Sequence, residues 1–356
     1  MRGQASAAGY LAWIWAGLVC TLLVVAGAVQ FMQHFAPQHL PAPAISNRLD
    51  LDEKLLFLRR HPDRRPTVLG VGSSITMRSL DGAPFSGGPS STGFLNVGIG
   101  GAQIHQTRET GKFYLDLFPE IAVVVQLVVP PDFEDCSTQP RVLFDPTDAR
   151  AFVRGEMSSV RAYLKYFNPE ELIPAALHIA ADRERSSGGD VGQRLQMDEF
   201  GSMPMEMTPR EARRRHETLY SETRPLDPNC FRELREWSRE VRERGARHVV
   251  VVPPFSPIFL RTIPGAPEYI ETFVQMLSTT LRNEPADLID ERSIAFGDEA
   301  FADAYHLLWP AARVFSRHVA ADLEQQARAM PKAPTTPESR VVGRLLKLGT
   351  ATSLVY

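Results

Sequence analysis

The chain has 356 residues, of which 44% are hydrophobic and 23% are charged, and its formal net charge is -3 at pH 7. A chain of this length and composition can bury a core, so one large globular domain or two ordinary ones are expected. The slight acidic excess argues against nucleic acid as a partner, because proteins that bind it usually carry a marked basic surface.

The N-terminal segment is the most hydrophobic part of the chain. Residues Tyr10 to Met32 contain no charged side chain, and a run of this length crosses a bilayer as a helix. Arg2 precedes the run and no Lys or Arg follows before Arg48, which favours a cytoplasmic N-terminus and an exported remainder. We predict a single-pass anchor, residues 1–33, in the inner (cytoplasmic) membrane. The alternatives are a signal peptide cleaved near residues 26–28 and a buried soluble helix.

After the anchor, the chain has a proline-rich segment and then a folded region. Residues 34–48 predict a semi-rigid spacer, and residues 49–329 predict an α/β domain. Two of its apolar runs are hydrophobic at nearly every position, as strands covered on both faces must be. A mostly parallel five-stranded sheet with helices on both sides is therefore predicted. The five predicted strands are Thr67–Val71, Phe94–Val97, Ile121–Val129, His248–Val252 and Asp287–Ile289.

Between Cys136 and Cys230 the pattern loosens into a polar insertion, which we interpret as a lid or partner-binding excursion. One run of arginines within it, Arg210 and residues 213–215, predicts a solvated helix face, with contact to an anionic lipid or polymer as the alternative. The cysteines have no CxxC or CxxH spacing, so no metal and no cofactor is predicted. In an oxidising compartment Cys136 and Cys230 are predicted to form a disulfide. The tail, residues 330–356, predicts either a short amphipathic helix at the membrane surface or disorder.

Three short motifs contain candidate catalytic residues. The first predicted strand ends in Gly-Ser-Ser, which brings Ser73 and Ser74 to the sheet edge where open α/β folds bind ligands, although serines also cap helices there. Asp303 and His306 are three residues apart, close enough for the carboxylate to hold one imidazole nitrogen while the other faces a hydroxyl. A glycine turn containing Gly101 follows the second strand, where backbone N–H groups can approach a ligand oxygen.

Taken together and in this order, these motifs resemble the SGNH (GDSL-like) hydrolase superfamily. The resemblance implies a three-layer flavodoxin-like α/β sandwich and a Ser-His-Asp triad. The residues that match the triad are Ser74, His306 and Asp303. Ser73 stands where the family has an aspartate, and Gly101 matches its oxyanion glycine in a stretch that also contains Asn96.

One block departs from the family pattern. Pro130 and Pro131 follow the third strand where the family has Gly-x-Asn-Asp, so the asparagine oxyanion donor is missing. Gln103 or a residue of the insertion is the candidate substitute. The loss of one such donor typically lowers turnover about a hundredfold or more.

The anchor and the relaxed motifs are similar to extracytoplasmic SGNH-like proteins that modify surface polysaccharides, many of them beside a multi-pass membrane-bound O-acyltransferase. The resemblance implies a membrane-anchored serine acyltransferase or esterase, with its catalytic domain on the periplasmic side. Its ligands would be an acyl donor and an acylated cell-surface or exported polysaccharide. The alternative is a non-catalytic assembly or glycan-binding protein: the missing asparagine favours it, and the retained Ser, His and Asp oppose it.

Overall fold

The computed structural model describes residues 7–35, 40–46, 48–86, 93–168, 177, 197–220 and 222–329. The predicted C-terminal tail and the middle of the insertion lie outside these residues. The helices are α1 (Ala7–Phe35), α2 (Leu49–Arg60), α3 (Ser74–Ser79), α4 (Ile104–Leu117), α5 (Pro146–Val153), α6 (Ser159–Lys165), α7 (Pro209–Thr218), α8 (Pro228–Glu243), α9 (Pro257–Thr262), α10 (Ala266–Leu281) and α11 (Trp309–Ala329). The strands are β1 (Val68–Gly72), β2 (Phe94–Asn96), β3 (Val123–Leu127), β4 (Arg247–Val252) and β5 (Ala286–Asp290).

Helix α1 is long and apolar enough to cross a membrane. Its 29 residues rise over about 43 Å, more than the ~30 Å hydrocarbon core of a bilayer. An 18-residue window within Gly9–Phe35 has a mean hydropathy of 2.2, and only 6% of that window is buried by protein. Trp13 is 81% exposed. This length and this hydropathy agree with the predicted anchor.

The chain divides into two compact units, and the division differs from the sequence prediction. The first unit contains Met1–Pro62 and Phe144–Ser187, and the second contains Asp63–Leu143 and Gly188–Tyr356. In the first unit α2 packs against α5, and the buried apolar side chains of these two helices are Leu51, Leu55, Leu58, Ala149 and Phe152. Helix α2, which was predicted to be part of the α/β domain, therefore belongs to the first unit. The predicted insertion contributes residues to both units. The reason is that the apolar face of α2 is covered by insertion residues.

The second unit contains a five-stranded sheet in which every neighbouring pair is parallel, with the order β2-β1-β3-β4-β5. All five predicted strands are confirmed, although the third, predicted as Ile121–Val129, is shorter in the structure and extends only over Val123–Leu127. A 3-10 turn at Pro130–Phe133 follows β3, and its two prolines have no N–H to continue a ladder.

Strand order determines where this sheet offers a ligand site. From β1 the chain passes to β2 on one side, and it then returns to β3 on the other side of β1. In open α/β sheets ligands bind outside the carboxyl ends of the strands at such a reversal. The residues that follow β1 and β3 are therefore the first place to examine for a site.

Candidate functional site

The turn after β1 presents one serine to solvent and buries the other. Ser73 is 2% exposed and caps α3, with its hydroxyl oxygen accepting from the Ile75 N–H at 3.4 Å. Ser74 is the first residue of α3. Within the described segment 71–80, Ser74 alone keeps partial exposure. The geometry thus makes Ser73 a cap and leaves Ser74 accessible.

Gly72 is required at this turn for a steric reason. It has φ +151°, and a Cβ there would lie 2.2 Å from the Oγ1 atom of Thr76. The same Thr76 hydroxyl donates to the Val71 carbonyl at 3.1 Å and accepts from the Leu127 N–H at 3.2 Å. Thr76, two residues after Ser74, therefore joins the ends of β1 and β3.

Ser74 is hydrogen-bonded to His306, which is in turn bonded to Asp303. The Nε2 atom of His306 lies 2.9 Å from the Oγ atom of Ser74. The Nδ1 atom of His306 lies 2.8 Å from Oδ1 of Asp303 and 2.9 Å from Oδ2. A carboxylate at Nδ1 favours the tautomer in which Nδ1 carries the proton and Nε2 accepts from the serine hydroxyl. This is the arrangement of a serine activated by a general base.

The loop that carries Asp303 and His306 is fixed by backbone hydrogen bonds. The Oδ1 atom of Asp303 accepts from the N–H groups of Tyr305 and His306, each at 3.0 Å. The Leu307 N–H donates to the Ser79 hydroxyl at 3.2 Å, which joins the loop to α3. The imidazole is therefore positioned relative to the helix that begins at the serine.

Asp303 is fully buried and has a second cationic partner. The Nη2 atom of Arg215, on α7, donates to Oδ2 of Asp303 at 2.9 Å. Burial alone would raise the pKa of Asp303, but His306, the backbone N–H groups and Arg215 outweigh it and hold that pKa well below its ordinary range. Asp303 is therefore ionised at every pH at which the His306 imidazole needs an anionic partner.

Sequence reasoning placed Arg215 on a solvated helix face, and the structure corrects this assignment. Arg213 and Arg214 are exposed, as predicted, whereas Arg215 is 18% exposed and bonded to Asp303. The spacing of Ala212, which is buried, from Arg215 is the i, i+3 spacing of an inward face. That spacing was the available signal, and the run of arginines masked it.

Gly101 lies on the turn after β2 with φ +60° and is exposed there. The turn packs closely on α3: a Cβ on Gly98 would lie 2.5 Å from the Met77 nitrogen and 2.9 Å from the Ser73 oxygen. Only glycine at that position lets the turn come so close to the serine.

Asn96 and Gln103 hold backbone segments in place. The Asn96 amide donates to the Thr76 carbonyl at 2.8 Å and to the Ser202 hydroxyl at 3.1 Å, and its oxygen accepts from the Gly98 N–H. The Gln103 amide donates to the Pro131 carbonyl at 2.8 Å, and its oxygen accepts from the N–H groups of residues 134 and 135. Both side chains were predicted as oxyanion or substrate-binding groups, and the structure assigns their polar atoms to these internal bonds.

Asp132 lies in the turn after β3, directly after Pro130 and Pro131, and sequence reasoning did not identify it. Burial raises its pKa to about 7, and hydrogen bonds from the Ser73 hydroxyl and the Val129 N–H partly oppose that rise. The Val129 N–H donates to Oδ2 of Asp132 at 3.2 Å. A carboxyl from the loop after β3 therefore contacts Ser73, the residue before Ser74.

Cys136 and Cys230 form a disulfide with a Cα–Cα distance of 5.3 Å, as predicted. It joins the loop after β3 to the first turn of α8. Within the described ranges, no three His, Cys, Asp or Glu side chains are grouped so that they could hold a metal ion.

A cavity of about 260 Å³ lies elsewhere, in the first unit. The residues that line it include Gln33, Leu40, Arg59, Arg60 and Tyr163. None of the residues that line this cavity belongs to the hydrogen-bonded set of Ser74, His306 and Asp303. We place the candidate site at Ser74, because that set is the one with the geometry of an activated serine.

The sequence matches no protein-family model and no curated protein.

Proposed function

We propose that this protein is a membrane-anchored serine acyltransferase or esterase of the SGNH type, acting on O-acyl groups of a cell-surface or exported polysaccharide. The observation that carries the proposal is the hydrogen-bonded chain from Ser74 through His306 to Asp303. The sheet has the strand order β2-β1-β3-β4-β5, which is the order of flavodoxin-like sheets. This order supports the three-layer flavodoxin-like fold that the resemblance to SGNH hydrolases implies.

The first half of the reaction transfers the acyl group to the enzyme. His306 takes the hydroxyl proton as Ser74 Oγ attacks the ester carbonyl, and the carbonyl electrons move onto the oxygen. The N–H groups of Ser74 and Gly101 are the donors we assign to that oxyanion. When the intermediate collapses, the C–O bond to the leaving alcohol breaks and His306 returns the proton to that alcohol.

The second half transfers the acyl group to an acceptor. A sugar hydroxyl or water loses its proton to His306 and attacks the acyl-serine, and the bond to Oγ breaks as Ser74 recovers the proton. Sugar as the acceptor gives transfer, and water gives hydrolysis. With Pro130 and Pro131 in place of the third donor, we expect turnover about a hundredfold below that of a complete oxyanion hole.

An extracytoplasmic position is supported by two independent features. Helix α1 is apolar enough to span a membrane, and the charge asymmetry around it favours an exported remainder. The disulfide between Cys136 and Cys230 is typical of proteins in oxidising compartments. We therefore place the second unit on the periplasmic side, beside a membrane-bound O-acyltransferase or another source of acyl groups.

A fluorophosphonate probe tests the catalytic proposal, because it reacts with activated serines. We expect the full-length wild-type protein to be labelled, Ser74→Ala to lose labelling completely, and Ser73→Ala to retain it. A folded wild-type protein that is not labelled would favour the alternative, a non-catalytic glycan-binding or assembly protein.

Reporter fusions at the C-terminus test the location of the second unit. We expect a fused periplasmic phosphatase to be active and a fused cytoplasmic fluorescent protein to be dark.

A further inference from the structure

Three tyrosines and a carboxylate form a cluster in the second unit. We call Glu134, Tyr269, Tyr305 and Tyr220 the tyrosine–carboxylate cluster. The Tyr269 hydroxyl lies 3.5 Å from Oε1 of Glu134, at the limit of a hydrogen bond. The rings of Tyr220 and Tyr305 meet edge to face with centroids 4.7 Å apart. Tyr305 is buried, while the other three members are half-buried, so a ligand can reach them.

This cluster lies beside Asp303, with which Tyr220 and Tyr305 both interact electrostatically. Tyr305 lies between Asp303 and His306 in sequence, and its N–H donates to the Asp303 carboxylate. Glu134 follows Asp132 by two residues and interacts with it electrostatically, and Asp132 is bonded to the Ser73 hydroxyl. Tyr305 therefore lies on the loop that carries the histidine, and Glu134 lies on the loop whose Asp132 contacts Ser73, the residue before Ser74.

Tyr220 has an unusual backbone conformation. Its φ is +58°, and it is the one non-glycine among the described residues with a positive φ. A left-handed conformation is disfavoured for a residue that carries a Cβ, and such strain concentrates at functional sites. Here the strained conformation accompanies a half-exposed ring that packs on Tyr305.

The surroundings of the cluster are predominantly acidic. Burial raises the pKa of the Glu134 carboxyl, the Asp135 charge raises it further, and Arg224 and the Tyr269 hydroxyl oppose these effects. Arg224 is 63% exposed, so its charge is largely screened by water. Arg215 is bonded to Asp303. A second anion brought here would meet the carboxylates of Glu134 and Asp135, and Arg224, the cation that acts on Glu134, is largely exposed to water.

We propose that the tyrosine–carboxylate cluster is the sugar subsite, and that it accepts a neutral or amine-bearing sugar and rejects a uronic acid or a phosphorylated sugar. The inference rests on the proposed function, whose glycan it specifies. The Glu134 carboxylate accepts hydrogen bonds from sugar hydroxyls, and the Tyr269 hydroxyl donates or accepts one. The Tyr220 ring packs against the apolar face of the sugar, and Glu134 repels a sugar carboxylate.

A binding experiment tests this inference without requiring turnover. The full-length protein with Ser74→Ala, in detergent, is titrated calorimetrically with a gluco-oligosaccharide, a glucosamine oligosaccharide and a mannuronate oligosaccharide of equal length. We expect the first two to bind and the mannuronate to bind at least about tenfold more weakly, a difference of about 1.4 kcal/mol. Equal or tighter binding of the mannuronate, or no binding of either of the other two, would overturn the proposal.

Three further substitutions in the Ser74→Ala background separate a specific role of Glu134 from a general charge effect. We expect Glu134→Gln to weaken gluco-oligosaccharide binding several-fold and to reduce the ratio of the affinity for the gluco-oligosaccharide to the affinity for the mannuronate oligosaccharide. We expect Tyr269→Phe also to weaken gluco-oligosaccharide binding, with a smaller change in that affinity ratio. The control is Glu222→Gln, which removes one charge from a side chain that is 75% exposed. If the control and Glu134→Gln behave alike, the subsite assignment is wrong. A wild-type protein that binds sugar but is not labelled by the fluorophosphonate would refute the catalytic proposal alone.

Discussion

Asp132→Asn removes the buried carboxyl that contacts Ser73, and its effect on stability is expected to depend on pH. Burial raises the pKa of Asp132 from 3.8 to about 7, so the folded protein retains a proton that the unfolded chain releases. The contribution of this proton to the free energy of unfolding is complete below the pKa that Asp132 has in the unfolded chain. It is lost as the pH rises through the pKa that Asp132 has in the folded protein. Asparagine keeps the shape: its carbonyl accepts from the Val129 N–H, and its amide donates to the Ser73 hydroxyl oxygen.

The size of this effect follows from the two pKa values. Each tenfold change in an acid dissociation constant corresponds to about 1.4 kcal/mol, so ionisation of Asp132 costs at most about 4 kcal/mol. Between about pH 5 and pH 8 the wild-type free energy of unfolding should therefore fall by about 2–3 kcal/mol more than that of Asp132→Asn.

Urea unfolding of both proteins in detergent at the two pH values, followed by the fluorescence of the buried Trp237, measures this difference. Other titrating groups, such as Asp52 with a pKa raised to about 8 by burial, are common to both proteins and cancel in the comparison. An identical pH dependence of the two proteins would refute the reasoning, because it would mean that Asp132 ionises in the folded state at no cost.

Three further predictions concern the surroundings of the site. Arg215→Met removes a charged hydrogen bond to Asp303, worth about 1.5–3 kcal/mol, so we expect probe labelling to slow about 10–100-fold and its acid limb to move to higher pH; an unchanged rate and profile would contradict the role of this arginine. Ser73→Ala should lower the free energy of unfolding by about 1 kcal/mol through loss of the cap, measured by urea titration, and complete loss of labelling would contradict the choice of nucleophile. Replacing Cys136 and Cys230 by alanine should cost about 2–4 kcal/mol of unfolding free energy, and wild type treated with reductant should match this variant; no change in either would show that the disulfide does not contribute.

The sheet and the three polar motifs were predictable because their signals are local. Buried parallel strands are apolar at nearly every position, and β3 and β4 have that pattern. The order of strands and the reach of a short Asp-x-x-His loop then bring Ser74 and His306 together, although 232 residues separate them. The disulfide could be predicted from the two cysteines that bracket a polar insertion.

The partners of these motifs could not be predicted, because they depend on tertiary contacts that leave a weak signal in the sequence. Arg215 stands in a run of arginines whose other members are exposed, and only the register of α7 directs it to Asp303. Asn96 has the residue type of an oxyanion donor, yet its amide bonds to residues of α3 and the 197–220 segment. Helix α2 was assigned to the α/β domain by its position in the chain, whereas its apolar face is covered by α5.

The most direct test of the central claim is to identify the residue that carries the acyl group. The full-length protein is incubated with 4-nitrophenyl acetate, quenched in acid and analysed by peptide mass spectrometry, with Ser74→Ala and His306→Ala treated in parallel. We expect one acetyl group on Ser74 in the wild type, none at that peptide in Ser74→Ala, and far slower acetylation in His306→Ala. Acetylation that is absent from Ser74 in the wild type, or that proceeds at the same rate without His306, would contradict the proposed serine chemistry.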